Sequence, residues 1–547
     1  MTTSARRWAD GAAGEWTLAV LVVVATTIVS TWPLITSPWL VPNHQDPLFS
    51  SWRLYQWTRN LMSGGAGGLF GGNMFYPTPD VLLFSDAIVL PALLGAPFIA
   101  LGVPVTLVYW VLIWIAYLTA GLAMYACARV ISGSRWGALM AAVIFTGAPL
   151  RQDHVMHLEL LYTAWMPLAV LATARILAGR GRSAWLLGTS LGAQFLCCIY
   201  FGIFLVTVWP LLAGIEWLRA RPVLSRATLA RVAVAIGLAG IVAGAYAVPY
   251  QRARKIVGDR DDAETSRYSA TLSAYAVSPP SSLFWGWTGR EDDAERRLFP
   301  GLLGASLAVT ALATPAAPWT LALAATTVFA ADASTGANGF TYPWLRRLAP
   351  PYRGLRVATR FGAVTLMGVA LLAALGCARL ARDLGQWRGA RTAATVLLLL
   401  AVVECAASVS IRTLPHRAPS VYAMLAALPP TVIVHAPLPY PNTLPGAEAN
   451  FLYFAQYHHH ALLNGNSGFY PPSYLLMLER ARQFPDDRAL EALRNAGAEY
   501  LLVHEQYYPS REAFARVSVA LEARHDVTAL GTWSDDRGVV RVYRIVP

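Results

Sequence analysis

The stretch VLLFSDAIVLPALLGAPFIAL, residues 81–101, decides how this chain is threaded. At about 20 residues it is long enough to cross a bilayer, yet it carries Asp86, Pro91 and Pro97. If it crosses, every later connection changes side and the amino terminus disagrees with the rest. If it does not, the short arginine-rich connections share one face: Arg6 and Arg7, Arg129 and Arg135, Arg175 to Arg182, Arg219 to Arg231, and Arg379 to Arg391. Arginine in short loops marks the cytoplasmic side, so residues 81–101 are read as a membrane-surface or re-entrant helix.

Around this segment, apolar runs fall at 15–36, 104–130, 136–150, 158–178, 184–200, 201–219, 229–250, 299–314, 317–332, 359–381 and 393–411, about eleven spans in all. With 56% hydrophobic and 14% charged residues, the composition is that of a polytopic membrane protein. The net charge of +12 is dispersed over interhelical segments, which argues against nucleic acid as a partner. All five cysteines lie in apolar stretches, so the polar parts hold no disulfide framework or cysteine metal site. The apolar run from Trp16 to Pro33 lacks a small-residue cleavage site and reads as the first span.

The expected fold is an α-helical polytopic membrane domain over 1–411, with interfacial helices, followed by a soluble α/β domain over 412–547. Outer loops are expected at 37–103, 251–298 and 333–358. In the first, PLFSSWRLYQWTRNLM (47–62) sets Leu48, Trp52, Tyr55 and Leu61 at helical spacing with Arg53 and Arg59 between them, a pattern suited to an interfacial amphipathic helix. The glycine-rich SGGAGGLFGGN (63–73) then leads into FYPTPD. The tail alternates strand-like TVIVHAPL, YLLVHE and the stretches near 527–533 and 538–546 with helices near 448–460, 473–484, 487–496 and 511–524.

Two polar clusters interrupt the apolar sequence on the expected outer face: HQDPLF (44–49) and RQDHVMHLE (151–159). Charge misplaced in hydrocarbon costs several kcal/mol, roughly 2.5–3.5 on insertion scales, so such clusters point to a working site. Asp46, with His44 beside it, can take a proton from a hydroxyl at the membrane surface. Asp46 followed by Pro47 equally suits the start of a helix. Asp153, His154, His157 and Glu159 offer acid/base groups or hard metal ligands, with Asp153 and His157 one helical turn apart, and capping of the next span accounts for them too. A divalent metal is left open, although no strict zinc motif is present. Asp86 either orients a neighbour or caps a helix. Arg353, Arg356 and Arg360 precede a span at near-helical spacing, a set able to clamp a phosphate or to bind anionic headgroups. DRDDAETSRY (259–268) and WGWTGR (285–290) are a charged and an aromatic stretch suited to lining or covering a cleft. His458 to His460 read as structural. Asn464, Asn466 and Tyr470 are possible glycan contacts in a loop.

The order of these parts resembles the GT-C superfamily of polytopic glycosyltransferases, which includes protein mannosyltransferases and aminoarabinose transferases. The matching sequence runs from span one through the loop with Asp46, a surface helix, FYPTPD, a second surface helix and a span ending in ARVISGSRWGA to a further acidic outer loop. It covers roughly residues 15–250. The family's paired Asp-Glu is here Gln45-Asp46-Pro47, and its HPP-type element is here YPTP. The resemblance implies transfer of a sugar from a polyprenyl-phosphate donor to a lipid, glycan or protein acceptor, with inversion. Asp46 is then the base, Asp153 its support, and His154, His157 and Glu159 helpers. The setting implied is a bacterial inner membrane with the amino terminus cytoplasmic and the tail periplasmic or extracellular.

Two other classes share these features. A transporter or flippase of a lipid-linked saccharide would bury its charges at midplane in repeated halves. A noncatalytic envelope-assembly protein would keep such a core and use the tail for interaction.

Overall fold

The computed structural model describes residues 3–65, 68–289, 294–313, 317–384, 389–414, 418–535 and 537–546. Ala66 and Gly67 of the glycine-rich turn and Arg290 of WGWTGR lie outside the described residues. The protein is mostly helical, and among the described residues six helices are long and apolar enough to cross a membrane: Ala13–Ser30, Val105–Ser132, Leu158–Leu177, Ile199–Ala220, Arg226–Val257 and Ala358–Asp383. It is a polytopic membrane protein with a small C-terminal sheet. The remaining expected spans form shorter helices, Arg135–Gly147, Ala184–Cys197, Leu302–Leu312, Thr320–Ser334 and Ala390–Glu404.

The breaks have local causes. Arg135–Gly147 begins on Ser134, whose side chain accepts from the Gly137 amide, and ends at Ala148, which sits at φ −49°, ψ 142°. Pro149 follows, and a residue before proline is driven out of the α region. The long apolar run 184–219 breaks at Cys198, which is extended, rather than at Tyr200. Val89–Ala100, the helical part of the deciding segment, has 12 residues. At 1.5 Å per residue that is about 18 Å, against about 30 Å of hydrocarbon.

The chain divides into two compact units, one of residues 1–42, 110–248 and 259–411, the other of 43–109, 249–258 and 412–547. In the first, Gly362–Asp383 is the buried centre and packs on Arg135–Gly147, Leu302–Leu312 and Thr320–Ser334. Small residues permit this. A Cβ on Gly376 would collide with the Leu307 carbonyl oxygen, and one on Gly137 would stand 2.5 Å from the Ala374 carbonyl oxygen. Close backbone approach through Gly and Ala is how helices pack in lipid, where apolar transfer adds little.

The second unit is built on a five-stranded sheet of β1 (Val432–Ala436), β2 (Ala461–Leu462), β3 (Tyr500–His504), β4 (Val527–Asp535) and β5 (Gly538–Ile545), in the spatial order β2-β1-β3-β5-β4. β2, β1 and β3 are parallel, whereas β5 is antiparallel to both β3 and β4. Every residue of β1 is buried, as a parallel strand at the centre of a sheet requires. Residues 73–76 extend the β2 edge: the Leu462 amide donates to the Asn73 carbonyl (2.7 Å), and the Tyr76 and Phe75 amides donate to the Leu462 and Asn464 carbonyls (2.9 and 3.1 Å).

Helix Asp46–Met62 has Gln45 at its N-cap and Pro47 in the first turn, and it stops at Ser63 before Gly64 and Gly65, both at positive φ. It packs against Glu448–Phe454 and Val89–Ala100. Leu48 and Trp52 of its stripe are buried within the unit, as are Arg53 and Trp57, whereas Leu61 at the end of the helix is exposed. The Arg53 guanidinium donates to the Asp86 carbonyl oxygen (2.6 Å) and to Ser50 Oγ (2.9 Å), and lies over the Phe49 ring.

Candidate functional site

The second polar cluster does not form a continuous helix. Pro149–His154 is a 3-10 turn, and His157 is extended ahead of the single turn Leu158–Leu161. Asp153 and His157 therefore do not share the helical face their spacing predicts, because proline and the tighter winding change the phase. The rings of His154 and His157 approach instead, centroids 5.8 Å apart.

Asp153 accepts two hydrogen bonds from the Arg297 guanidinium, at 3.0 and 3.1 Å, and both side chains are nearly buried. Burial raises the Asp153 carboxyl to about 6, with Arg297 pulling against it. His154 Nε2 lies 3.9 Å from a Glu295 carboxylate oxygen. Burial pushes His154 down to about 4, so its imidazole is neutral near pH 7 and the contact with Glu295 is not a full ion pair there. Burial alone would raise Glu295, but Arg360 and the histidines outweigh it and hold the carboxyl at about 2. Arg360 donates to Glu295 at 2.7 Å and lies over the Tyr200 ring at 4.8 Å.

One layer on, Arg356 donates to Glu264 Oε1 (3.1 Å) and stacks on Tyr268, while its amide donates to Tyr200 Oη. Arg260 donates to the same Glu264 carboxylate. Arg346 ties down this loop through Asp262, Thr265 and the Arg260 carbonyl. Arg151 is buried, donating to Thr163 Oγ1 and to the Leu161 carbonyl, and lies 5.0 Å from the Tyr117 ring centre. A small cavity of about 20 Å³ lies between Arg151, His154 and Arg360, its wall completed by Thr163, Thr359 and apolar side chains.

The three arginines expected to act together are not equivalent. Pro350–Gly354 and Ala358–Phe361 are separate 3-10 turns joined by extended residues, so the near-helical spacing is lost. Arg356 and Arg360 are each paired with a carboxylate, and Arg353 is exposed. Glu159 is buried in the first turn of its short helix.

The remaining expected residues, apart from those of WGWTGR in the first unit, belong to the second unit. Asp46 is the first residue of its helix and is half-buried. His44 Nε2 faces the Thr413 carbonyl at 3.2 Å. Asp86 is buried, and its Oδ1 accepts from the Ile88 amide at 3.4 Å, a local bond at the start of Val89–Ala100. Asn464 is consumed inside the sheet, accepting from the His435 amide and donating to the His435 carbonyl and to Glu448, so it is not available to a glycan. The histidine run is structural: His459 stacks on Tyr55 and bonds its hydroxyl, and His460 bonds the Leu425 carbonyl. Trp285 donates to Glu404 and packs on Phe299, leaving Trp287 as the exposed ring of its stretch.

Among the described residues, no three His, Cys, Asp or Glu side chains converge to hold a metal ion. The residues that sequence reasoning passed over are Glu295, Arg297 and Tyr200, while Arg260 was reached only as part of the stretch DRDDAETSRY. Glu295 and Arg297 sit in a dense acidic-basic run directly before an apolar span, the same signal that singled out residues 151–159.

No family profile and no curated protein matches this chain. Two of the solved structures similar to it match over nearly its whole length. One is the archaeal oligosaccharyltransferase AglB from Archaeoglobus fulgidus, in complex with an inhibitory peptide and a dolichol-phosphate: 12% identity, 96% of this chain and 74% of that chain covered, TM-score 0.48. The other is ArnT from Cupriavidus metallidurans bound to undecaprenyl phosphate: 13% identity, 97% of this chain and 98% of that chain covered, TM-score 0.49.

Proposed function

We propose that this chain is a membrane glycosyltransferase that moves a sugar from a polyprenyl-phosphate-linked donor to a lipid, glycan or protein acceptor on the extracytoplasmic face of a bacterial inner membrane. The observation that carries the reading is the polar layer at the ends of apolar helices in the first unit. There Arg260, Arg297, Arg356 and Arg360 are each held against a carboxylate, beside a carboxyl poised at about 6 and a neutral imidazole. A leaving phosphate needs preorganised cations, and the acceptor hydroxyl needs a base ionised near neutrality. Carboxylates already paired to those arginines keep the cations oriented and exchangeable for a phosphate.

In this reaction the acceptor oxygen attacks the anomeric carbon as its proton passes to a carboxylate. The bond from that carbon to the phosphate oxygen breaks, and the polyprenyl phosphate leaves with the electron pair, inverting the centre. Asp46 is the proposed base and Asp153 its support, with His44, Asp86, His154, His157 and Glu159 as supporting groups. Arg356 and Arg360 are proposed for the phosphate, with Arg353 at the exposed end of their segment.

The test is a mass-spectrometric glycolipid and glycan profile of strains carrying wild type, a deletion, Asp46→Asn or Asp153→Asn, with membrane levels of the protein measured. Loss of one sugar with accumulation of its polyprenyl carrier in Asp46→Asn, matching the deletion, supports the assignment. A wild-type profile in Asp46→Asn with loss in Asp153→Asn moves the base to Asp153. Wild-type profiles in both sink the transferase reading and favour a transporter or an assembly protein.

A further inference from the structure

Helix Thr341–Leu348 of the first unit has one face fixed to protein and one face left open. It stands between the end of the apolar helix Thr320–Ser334 and the start of Gly362–Asp383, which places it at the bilayer surface. Asp332 starts it, its carboxylate accepting from the Phe340 amide (3.2 Å) and the Thr341 amide (2.6 Å). On the fixed face Tyr342 is buried, its hydroxyl donating to the Leu355 carbonyl (3.0 Å). Arg346 donates from the same side to Asp262 (2.7 Å), to Thr265 Oγ1 (3.1 Å) and to the Arg260 carbonyl (2.8 Å). With 3.6 residues per turn, Phe340, Trp344, Arg347 and Leu348 fall within an arc of about 100° on the opposite side. Phe340, Trp344 and Leu348 are 75%, 48% and 73% exposed. The Phe340 and Trp344 rings lie 6.5 Å apart, and the Arg347 guanidinium lies 5.8 Å from the Trp344 ring centre.

Place and chemistry together identify what covers the open face. Aromatic rings beside the ends of membrane helices belong at the boundary between hydrocarbon and headgroups. Phe, Trp and Leu with an arginine among them need a surface that is apolar beneath and negatively charged at its rim, the cross-section of an anionic lipid leaflet. The long arginine side chain suits this, since its stem can lie along apolar groups while its head reaches a phosphate. The charge balance of the segment points the same way. Residues 333–361 hold five arginines and no Asp or Glu. Arg346, Arg356 and Arg360 are paired with carboxylates from other segments, whereas Arg347 and Arg353 are exposed.

We infer that Thr341–Leu348 is a membrane-surface anchor: Phe340, Trp344 and Leu348 enter the leaflet, and Arg347 takes the phosphate of an anionic phospholipid. Because Tyr342 and Arg346 hold the helix to Leu355 and to residues 260–265, the anchor sets the depth of the segment that carries Arg356. The inference requires only a polytopic membrane protein and stands whether or not a sugar is moved.

The test uses the full-length protein in vesicles of equal parts phosphatidylcholine and phosphatidylglycerol, spin-labelled at Phe340→Cys, at Leu348→Cys, or at Val519→Cys on the exposed C-terminal helix as an aqueous reference. The five native cysteines are buried, so the label goes to the introduced thiol. Power-saturation EPR should show the labels at Phe340 and Leu348 relaxed more by oxygen, which concentrates in hydrocarbon, than by a water-soluble nickel chelate, with the reverse at Val519. Brominated lipids read the charge. The Trp344 fluorescence, taken as wild type minus Trp344→Phe, should report about fivefold preference for brominated phosphatidylglycerol over brominated phosphatidylcholine, the weight of one arginine at a lipid surface. Arg347→Gln should abolish that preference and Arg347→Lys should keep it. Nickel access at Phe340 and Leu348 equal to that at Val519 overturns the anchor. Equal quenching of wild type by the two brominated lipids overturns the anionic-lipid contact. Shielding of both labels in native membranes but not in pure lipid vesicles assigns the face to a protein partner and overturns the proposal.

Discussion

Glu448→Gln is expected to remove an alkaline weakness from the C-terminal sheet. Glu448 is fully buried, its Oε1 accepting from Tyr474 Oη at 2.8 Å and from Asn464 Nδ2 at 3.2 Å. Burial pushes its carboxyl from the ordinary 4.5 up to about 8, outweighing both donors. For an acid whose folded value lies above its unfolded one, ionisation opposes folding. The group is least unfavourable below the unfolded value, and stability falls as pH rises through the window from 4.5 to about 8. At about 1.36 kcal/mol per unit, and with the carboxyl half ionised at the top of the window, raising pH from about 6 to about 8 removes about 2 kcal/mol, roughly 30-fold in an opening constant. Gln keeps the size and the accepting oxygen but has no charge to form. Hydrogen-exchange mass spectrometry of peptides spanning 448–466, corrected for intrinsic exchange, should show that loss of protection in wild type and a flat profile in the variant. Parallel slopes in the two proteins would refute the buried, protonated Glu448.

Glu295→Gln removes the countercharge of nearly buried Arg360 and should destabilise the first unit by about 3–5 kcal/mol, the usual result of breaking a buried pair, seen as a lower thermal midpoint in detergent. Replacing both partners by apolar residues should recover much of that loss while abolishing activity. Arg297→Ala leaves burial of Asp153 unopposed, so its carboxyl rises above about 6 and the acid limb of the pH–rate profile moves to higher pH. An unmoved limb would show that Asp153 does not set it. Gly376→Ala should reduce the yield of folded protein, because its Cβ meets the Leu307 carbonyl oxygen in the packed helix pair; Gly354, whose Cβ meets nothing within 4 Å, should tolerate the same change in a size-exclusion comparison.

Periodicity and length carried most of the helices and strands into view before any coordinates. Apolar runs report burial directly, and the strand-helix alternation of the tail corresponds to β1 through β5 and the helices between them. Breaks inside helices were less legible. Ala148–Pro149 is a visible signal, whereas nothing in the sequence around Cys198 marks the extended residue that divides two helices.

By itself the sequence determined a polytopic helical protein with a sheet-containing tail, polar clusters at span ends, and Asp153 and His154 as residues worth attention. Only the tertiary structure decided who their partners are. Arg297 and Glu295 lie more than a hundred residues away from Asp153 and His154, and Arg360 finds Glu295 rather than its neighbours in sequence. It likewise decided that residues 73–76 pair along β2 and that helix Asp46–Met62 packs on Glu448–Phe454. The physical reason is that hydropathy and local propensity act over a few residues. Ion pairing and edge-strand pairing depend on distance in space, which local pattern does not encode.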